Sequence, residues 1–234
     1  MTDLAEVIGD DRWGARRLAA LTAAERSLYA SILRRFAEGR PGQLDGTARA
    51  GDHADALAGL VARDLVGVDD DGGVVVAYPF SARATRHRVD VDDRRRLWAM
   101  CAIDAVAIPY LLARPAAVHA REPGTDRPVT VTIDPAGNTI RWDPPDATVV
   151  AARTGGGRVA DCACPHINMF ASRPSAERYL DVPGRRGTML SVPDAAAAAR
   201  AIFGALSELL EPVSAVGPNA LGRRPASGLR SGRQ

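Results

Sequence analysis

The chain has 234 residues, of which 46% are hydrophobic and 25% charged, and its formal net charge is +2. That is enough apolar material for one large domain or two small ones with a real core, and too little net charge for a global nucleic-acid-attracting field. Three cysteines, an odd number, exclude a secretory disulfide framework and are expected to be free thiols in a reducing compartment.

The first residues, "MTDLAEVIGDDRWGARRLAAL", contain early acids and no apolar signal segment, so the chain reads as soluble and cytoplasmic. Residues 1 to about 20 read as a short helix or a loose arm. From Thr22, "TAAERSLYASILRRFAEG" carries a capping-box signal in Thr22 and Glu25, followed by a helical stripe of Leu28, Ile32, Leu33 and Phe36. "GRPGQLDG" ends that helix, "HADALAGLVARDLV" forms a second one, and "DDDGGVVVAYPFS" is a turn running into a strand. Two helices followed by an acidic, glycine-containing turn and a strand predict a winged-helix-like module over residues 1–82.

A core over residues 83–212 is expected to follow. "RHRVDVDD" alternates like a strand, and the charged run Asp92–Arg96 reads as the start of a helix that continues through "LWAMCAIDAVAIPYLLAR". That stretch is shorter than the roughly 20 apolar residues of a membrane span, and Asp104 and Pro109 interrupt it, so no membrane contact is expected. "PVTVTI", "NTIRWD" and "ATVVAAR" predict three strands, and "TGGGR" a glycine loop without the lysine of a phosphate cradle. "SRPSAERYL" predicts a short helix capped by Ser172 or Ser175, "TMLSV" a strand, and "PDAAAAARAIFGALSELLE" a last helix with proline in its first turn. The Gly, Pro, Ser and Arg-rich tail, 213–234, is expected to be disordered. The fold class is therefore α+β, a winged-helix-like module followed by a core of mixed or antiparallel sheet with flanking helices.

Two clusters can carry chemistry. Cys101 and Asp104, spaced i, i+3, are expected to share one face of a helix. A carboxyl within "MCAIDAVAIPYLL" needs a cavity or a partner, and burial would raise its pKa into the range of a proton donor working near neutral pH. The second cluster, "DCACPHINMFAS", offers Cys162, Cys164 and His166 on one side if the segment is extended. Read alone, it allows a zinc clamp completed by Cys101, a vicinal redox pair, or buried small side chains with His166 as a packing residue. The clamp departs from the usual spacing of paired zinc cysteines, and the C-x-x-C spacing of redox motifs is absent.

Taken together, "DDRRRLWAMCAIDAVAIPYLLAR" and "CPHINMFAS" resemble the organomercurial (alkylmercury) lyase family, over about Val74 to Asp194. The resemblance implies that Cys101 is the family's helix cysteine, Asp104 its catalytic acid and Cys164, just before the Pro-His pair, its second cysteine. Cys162 falls outside that triad as a possible additional mercury ligand. Some members carry a cysteine where this chain has Pro165. The implied activity is protonolysis of a carbon–mercury bond, giving hydrocarbon and Hg(II) bound by Cys101 and Cys164, with Asp104 in the same site. No cofactor is implied beyond external cellular thiols, and a mercuric reductase is an implied acceptor of the product. The residue types suit the task, because mercury(II) is soft and prefers thiolates.

Besides a plain storage or carrier protein that binds Hg(II) without cleaving anything, two other readings stay open at this level. One is a winged-helix metal sensor, disfavoured by the single arginine, Arg63, in the second helix, which leaves few phosphate contacts and argues against nucleic acid as a partner. The other is an enzyme of the same scaffold acting on another soft-element bond.

Overall fold

The computed structural model describes residues 13–41, 52–92 and 95–210. The expected N-terminal arm before Trp13, most of the "GRPGQLDG" break and the C-terminal tail lie outside them. Helix α1 spans Trp13–Ala19, α2 Ala23–Ala37 and α3 Asp52–Ala62. The capping box forms as the sequence requires. The Glu25 amide donates to Thr22 Oγ1 at 3.2 Å and the Thr22 amide to Glu25 Oε2 at 2.7 Å. Arg63 is engaged within the protein, donating to Glu25 Oε1 at 3.0 Å and to the Gly59 carbonyl at 3.2 Å.

Strands β1 (Val66–Val68), β2 (Val74–Ala77) and β3 (Phe80–Ser81) follow, then β4 (His87–Val91) and β5 (Arg95–Ala99). After helix α4 (Ala102–Leu112) come β6 (Ala116–Arg121), β7 (Pro128–Asp134) and β8 (Thr139–Asp143). These form one antiparallel sheet in the order β1-β2-β3-β5-β4-β6-β7-β8. A second sheet, β10-β9-β11, joins Asn168–Phe170, Thr148–Thr154 and Arg185–Ser191, with α5 (Val159–Cys162) before β10 and α6 (Arg173–Leu180) after it. Gly187 is required where β11 crosses β9, because a Cβ there would lie 2.5 Å from the Ala151 carbonyl oxygen. The architecture is α+β, with strands from both sides of residue 82 sharing the large sheet.

One expectation is corrected here. Arg95 and Arg96 do not begin a helix. Arg95–Ala99 is a strand paired with β4, Val91 opposite Arg95 and Arg88 opposite Trp98. Its Leu97 and Ala99 point inward while Arg96 and Trp98 point away, a two-residue alternation that the adjacent charged run obscured. Asp92 sits at φ 50° and accepts from Arg95 and Arg114, both at 2.8 Å, so its acid serves a turn.

Helix α4 is the apolar centre. Of its 11 residues only Tyr110 and Leu112 are not buried, and the left-handed Ala113 (φ 50°) ends it. A helix that is apolar on every side must be covered on every side. The sheet covers one side, and α7 (Val192–Phe203) lies against another through the buried alanines Ala195, Ala196 and Ala199. Small side chains on both helices bring their backbones close and set the last turn of α7 beside the N-terminus of α4. Among the described residues no helix is long and apolar enough to cross a membrane.

Candidate active site

Cys101 is not on the face of α4 but at its N-cap, in extended conformation (φ −150°, ψ −179°). Its Sγ accepts the Asp104 amide at 3.5 Å. The i, i+3 spacing therefore works as a cap, with the sulfur in the place of a serine oxygen. An N-cap sulfur also faces the positive end of the helix dipole, which favours thiolate. Asp104, in the first turn, turns its carboxylate to the same point.

Cys164 arrives from the other half of the chain. Helix α5 (Val159–Cys162) is followed by a tight turn, Cys164–His166, and then β10. The segment is coiled, so Cys162, Cys164 and His166 diverge and the extended C-x-C-x-H clamp does not form. Cys164 Sγ lies 3.9 Å from Asp104 Oδ2, to which it donates. Cys162 Sγ instead lies 3.6 Å from the Gly157 carbonyl oxygen and 3.6 Å from the Arg153 guanidinium. His166 pairs with Thr154 Oγ1 at 2.9 Å and with the Tyr179 hydroxyl at 3.4 Å. The two halves are tied by one backbone bond, from the Ala102 amide to the Ile167 carbonyl at 3.0 Å.

The ligand atoms of Cys101, Asp104 and Cys164 lie within 4.8 Å of one another, the one such cluster among the described residues, and Cys162 is not in it. Each of the three residues is 3% exposed. Burial raises the Asp104 carboxyl to about 7, against the opposing hydrogen bonds from Cys101. Burial also pushes the Cys101 thiol well up, with Cys164 and Asp104 adding to the rise. The Cys164 thiol is drawn down by its hydrogen bond with Cys101, but burial and the Asp104 charge outweigh this and leave it raised. Three groups whose charged forms burial disfavours therefore meet at short range.

These groups open onto a small cavity of about 40 Å³, walled by Tyr78, Ile103, Val159, Ile167, Ile202 and Phe203. The aromatic residues Trp98, Tyr110 and Phe170 lie outside this lining. Trp98 is on the far face of β5, Tyr110 lies under Arg200, and Phe170 stacks on Tyr179 with ring centroids 4.9 Å apart. Tyr78 escapes sequence reasoning because "VAYPF" reads only as strand. Its hydroxyl faces Cys164, drawing that thiol down while its own ionisation is pushed far up, chiefly by burial. Its carbonyl is held by the Tyr29 hydroxyl at 3.0 Å.

Two thiols and a carboxyl meet in an apolar cavity of an α+β fold, a donor set that suits a soft metal and is one ligand short of a structural zinc site. The comparisons with known proteins agree. The alkylmercury lyase (MerB) family matches residues 80–204, more than half of the chain, and the chain belongs to that family. An alkylmercury lyase of Pseudomonas putida is 28% identical over 155 residues, covering 65% of this chain and 72% of the relative. One from Staphylococcus epidermidis is 28% identical over 158 residues, covering 66% and 71%, and one from Streptomyces lividans 26% over 171 residues, covering 72% and 78%. A crystal structure of the mercury-bound form of MerB2 shares the fold, with a TM-score of 0.69 at 19% identity over 86% of this chain and 98% of that one.

Proposed function

We infer that this chain is an alkylmercury lyase that cleaves the carbon–mercury bond of organomercurials, with Cys101, Asp104 and Cys164 as its catalytic residues. The observation that carries the reading is the meeting of two thiols and one carboxyl within 4.8 Å in a cavity with otherwise apolar or tyrosine walls.

The chemistry follows from the groups. One thiol displaces a weaker ligand from R–Hg⁺, forming a sulfur–mercury bond and releasing its proton to solvent. Asp104, as carboxylate, takes the proton of the second thiol, and that sulfur becomes the second ligand. Two thiolates push electron density towards the carbon, and the new Asp104 acid protonates it as the carbon–mercury bond breaks. The sum is R–Hg⁺ plus two thiols giving R–H, a bis-thiolate Hg(II) and one proton. An acid with its pKa at about 7 can both accept and return the proton at neutral pH. External thiols then remove Hg(II), directly or towards a mercuric reductase, and the chain needs no further cofactor.

In this reading α2, α3 and the β1–β2 hairpin form the winged-helix-like module of residues 1–82, which backs the catalytic core of 83–212 and contributes Tyr78 to the cavity. The test of function is turnover. With methylmercury and excess thiol, methane and Hg(II) should form in equal amounts over many cycles. Binding of mercury without methane would reduce the chain to a carrier.

A further inference from the structure

Cys164 sits between two anchors. Downstream, the Ile167 carbonyl accepts the Ala102 amide at the head of α4. Upstream, the loop before α5 is exposed, and a Cβ at Gly155, Gly156 or Gly157 would meet nothing within 4 Å, so the loop has no packing of its own to hold it. Helix α5, a single turn of four residues, is too short to persist by itself. Its start is fixed instead from the N-terminal half of the chain. Asp64 accepts the Val159 amide on Oδ2 at 2.9 Å, and its Oδ1 lies 3.3 Å from Arg158 Nε. Arg158 also donates to the Val66 carbonyl at 3.4 Å.

Asp64 is itself well held. It occupies the turn between α3 and β1 at φ 55°, its amide donates to the Val61 carbonyl at 2.9 Å, and the next residue, Leu65, is fully buried. The Asp64 side chain is only 14% exposed, so its bond to a backbone amide is charge-assisted and largely shielded from water. The peptide units it grips are the ones that carry Cys164. The Arg158 carbonyl accepts the Cys162 amide at 3.0 Å, and the Val159 carbonyl accepts the Ala163 amide at 3.1 Å. The Val159 side chain is part of the cavity wall with both cysteines.

We propose that Asp64 is a positioning residue for the reaction, setting the Cys164 thiol against Cys101 and Asp104 through the Val159 amide. The proposal rests on the lyase reading. It gives the N-terminal half of the chain a part in the chemistry beyond packing, because a residue there orients one of the two sulfurs.

The test uses two substitutions that the left-handed backbone at Asp64 accepts. Glycine adopts it freely and removes the carboxylate, whereas asparagine adopts it and keeps an acceptor for the Val159 amide. A misplacement of about 1 Å at a reacting group can cost about 10²-fold. Asp64→Gly should lower kcat for methylmercury by roughly that factor, and Asp64→Asn should stay within about fivefold of wild type. Amide exchange supplies the readout that a general loss of stability does not produce. In Asp64→Gly the Cys162 and Ala163 amides should exchange roughly tenfold faster or more. The Ala105 amide, which donates to the Cys101 carbonyl in the other half of the site, should keep its wild-type rate. Equal acceleration at Ala105 overturns the proposal, because the substitution would then act on the whole fold. Wild-type kcat in Asp64→Gly overturns it, as does an Asp64→Asn protein as impaired as Asp64→Gly. Each of these leaves wild-type turnover intact. Absence of methane from the wild type would instead sink the lyase reading, and the part of Asp64 in catalysis with it.

Discussion

The two halves of the site present their cysteines by different means. Cys101 is the cap of a helix buried on nearly every side, and its position follows from the packing of α4 between sheet and α7. Cys164 sits in a tight turn after the loop Gly155–Gly157, whose positive φ values at Gly155 and Gly157 (65° and 127°) only glycine accepts readily. That turn is braced from outside. The Val159 amide donates to Asp64 Oδ2 at 2.9 Å, the Arg158 guanidinium lies 3.3 Å from Asp64 Oδ1, and His166 is held by Thr154 and Tyr179. A scaffold fixes one sulfur and a set of hydrogen bonds fixes the other. A mercury ion bound by both would join the two halves of the chain.

The largest effect expected from this contrast is loss of turnover in either cysteine variant. Cys101→Ser and Cys164→Ser should each lower kcat/KM by more than about 10⁴-fold, because two-sulfur ligation works as a unit. Thermal unfolding then separates the halves. Serine is a strong N-cap residue and can accept the Asp104 amide in place of sulfur. Cys101→Ser should therefore keep or slightly raise Tm, whereas Cys164→Ser gains no such cap. An equal loss of Tm in both would remove the distinction between cap and turn.

Asp104→Asn comes next, with a fall in kcat of about 10²–10⁴-fold, the usual worth of a positioned proton donor. It also has a stability signature. The carboxyl, held at about 7 by burial, keeps its proton in the folded state at pH values where the unfolded chain, near the ordinary 3.8, has lost it. The cost of burying the charged form is thus absent at low pH, grows as pH rises through this window, and is full above about 7. At about pH 8, Asp104→Asn should be more stable than wild type, and the gap should shrink on acidification. A gap that does not change with pH would mean that the carboxylate is better solvated than its 3% exposure allows.

Much of this site was legible in the sequence, and the reason is local chemistry. A carboxyl within "MCAIDAV" cannot be buried without purpose, and that alone marked Asp104. Capping at Thr22 and the strands 128–133, 138–143 and 147–153 were legible through turn residues and alternation, which act over a few positions. Long-range information was not. Nothing near Tyr78 announces that β2 and β3 carry it to Cys164, and nothing near Phe203 places α7 over the cavity. Strand β5 was missed because Arg95 and Arg96 point to solvent and to a turn, and their charge resembles a helix start. The i, i+3 spacing of Cys101 and Asp104 describes a cap as well as a face, and sequence alone does not tell the two apart.

Cys162 gives the smallest predicted effect and the sharpest test of the brace. Its sequence position, two residues before Cys164, makes it look like a partner in mercury capture. Its sulfur, however, lies against the Gly157 carbonyl and Arg153, outside the 4.8 Å cluster. In that place a thiol donates to a carbonyl and closes the glycine loop against α5. A serine hydroxyl makes the same bond at shorter range, so Cys162→Ser should keep most of the turnover and change stability by about 1 kcal/mol or less. Cys162→Val fills the space without a donor and should loosen the loop, seen as faster amide exchange at Val159–Cys162. A folded Cys162→Ser protein without turnover would mean that the thiol itself takes part in mercury transfer, and the turn that presents Cys164 would then be a two-sulfur device.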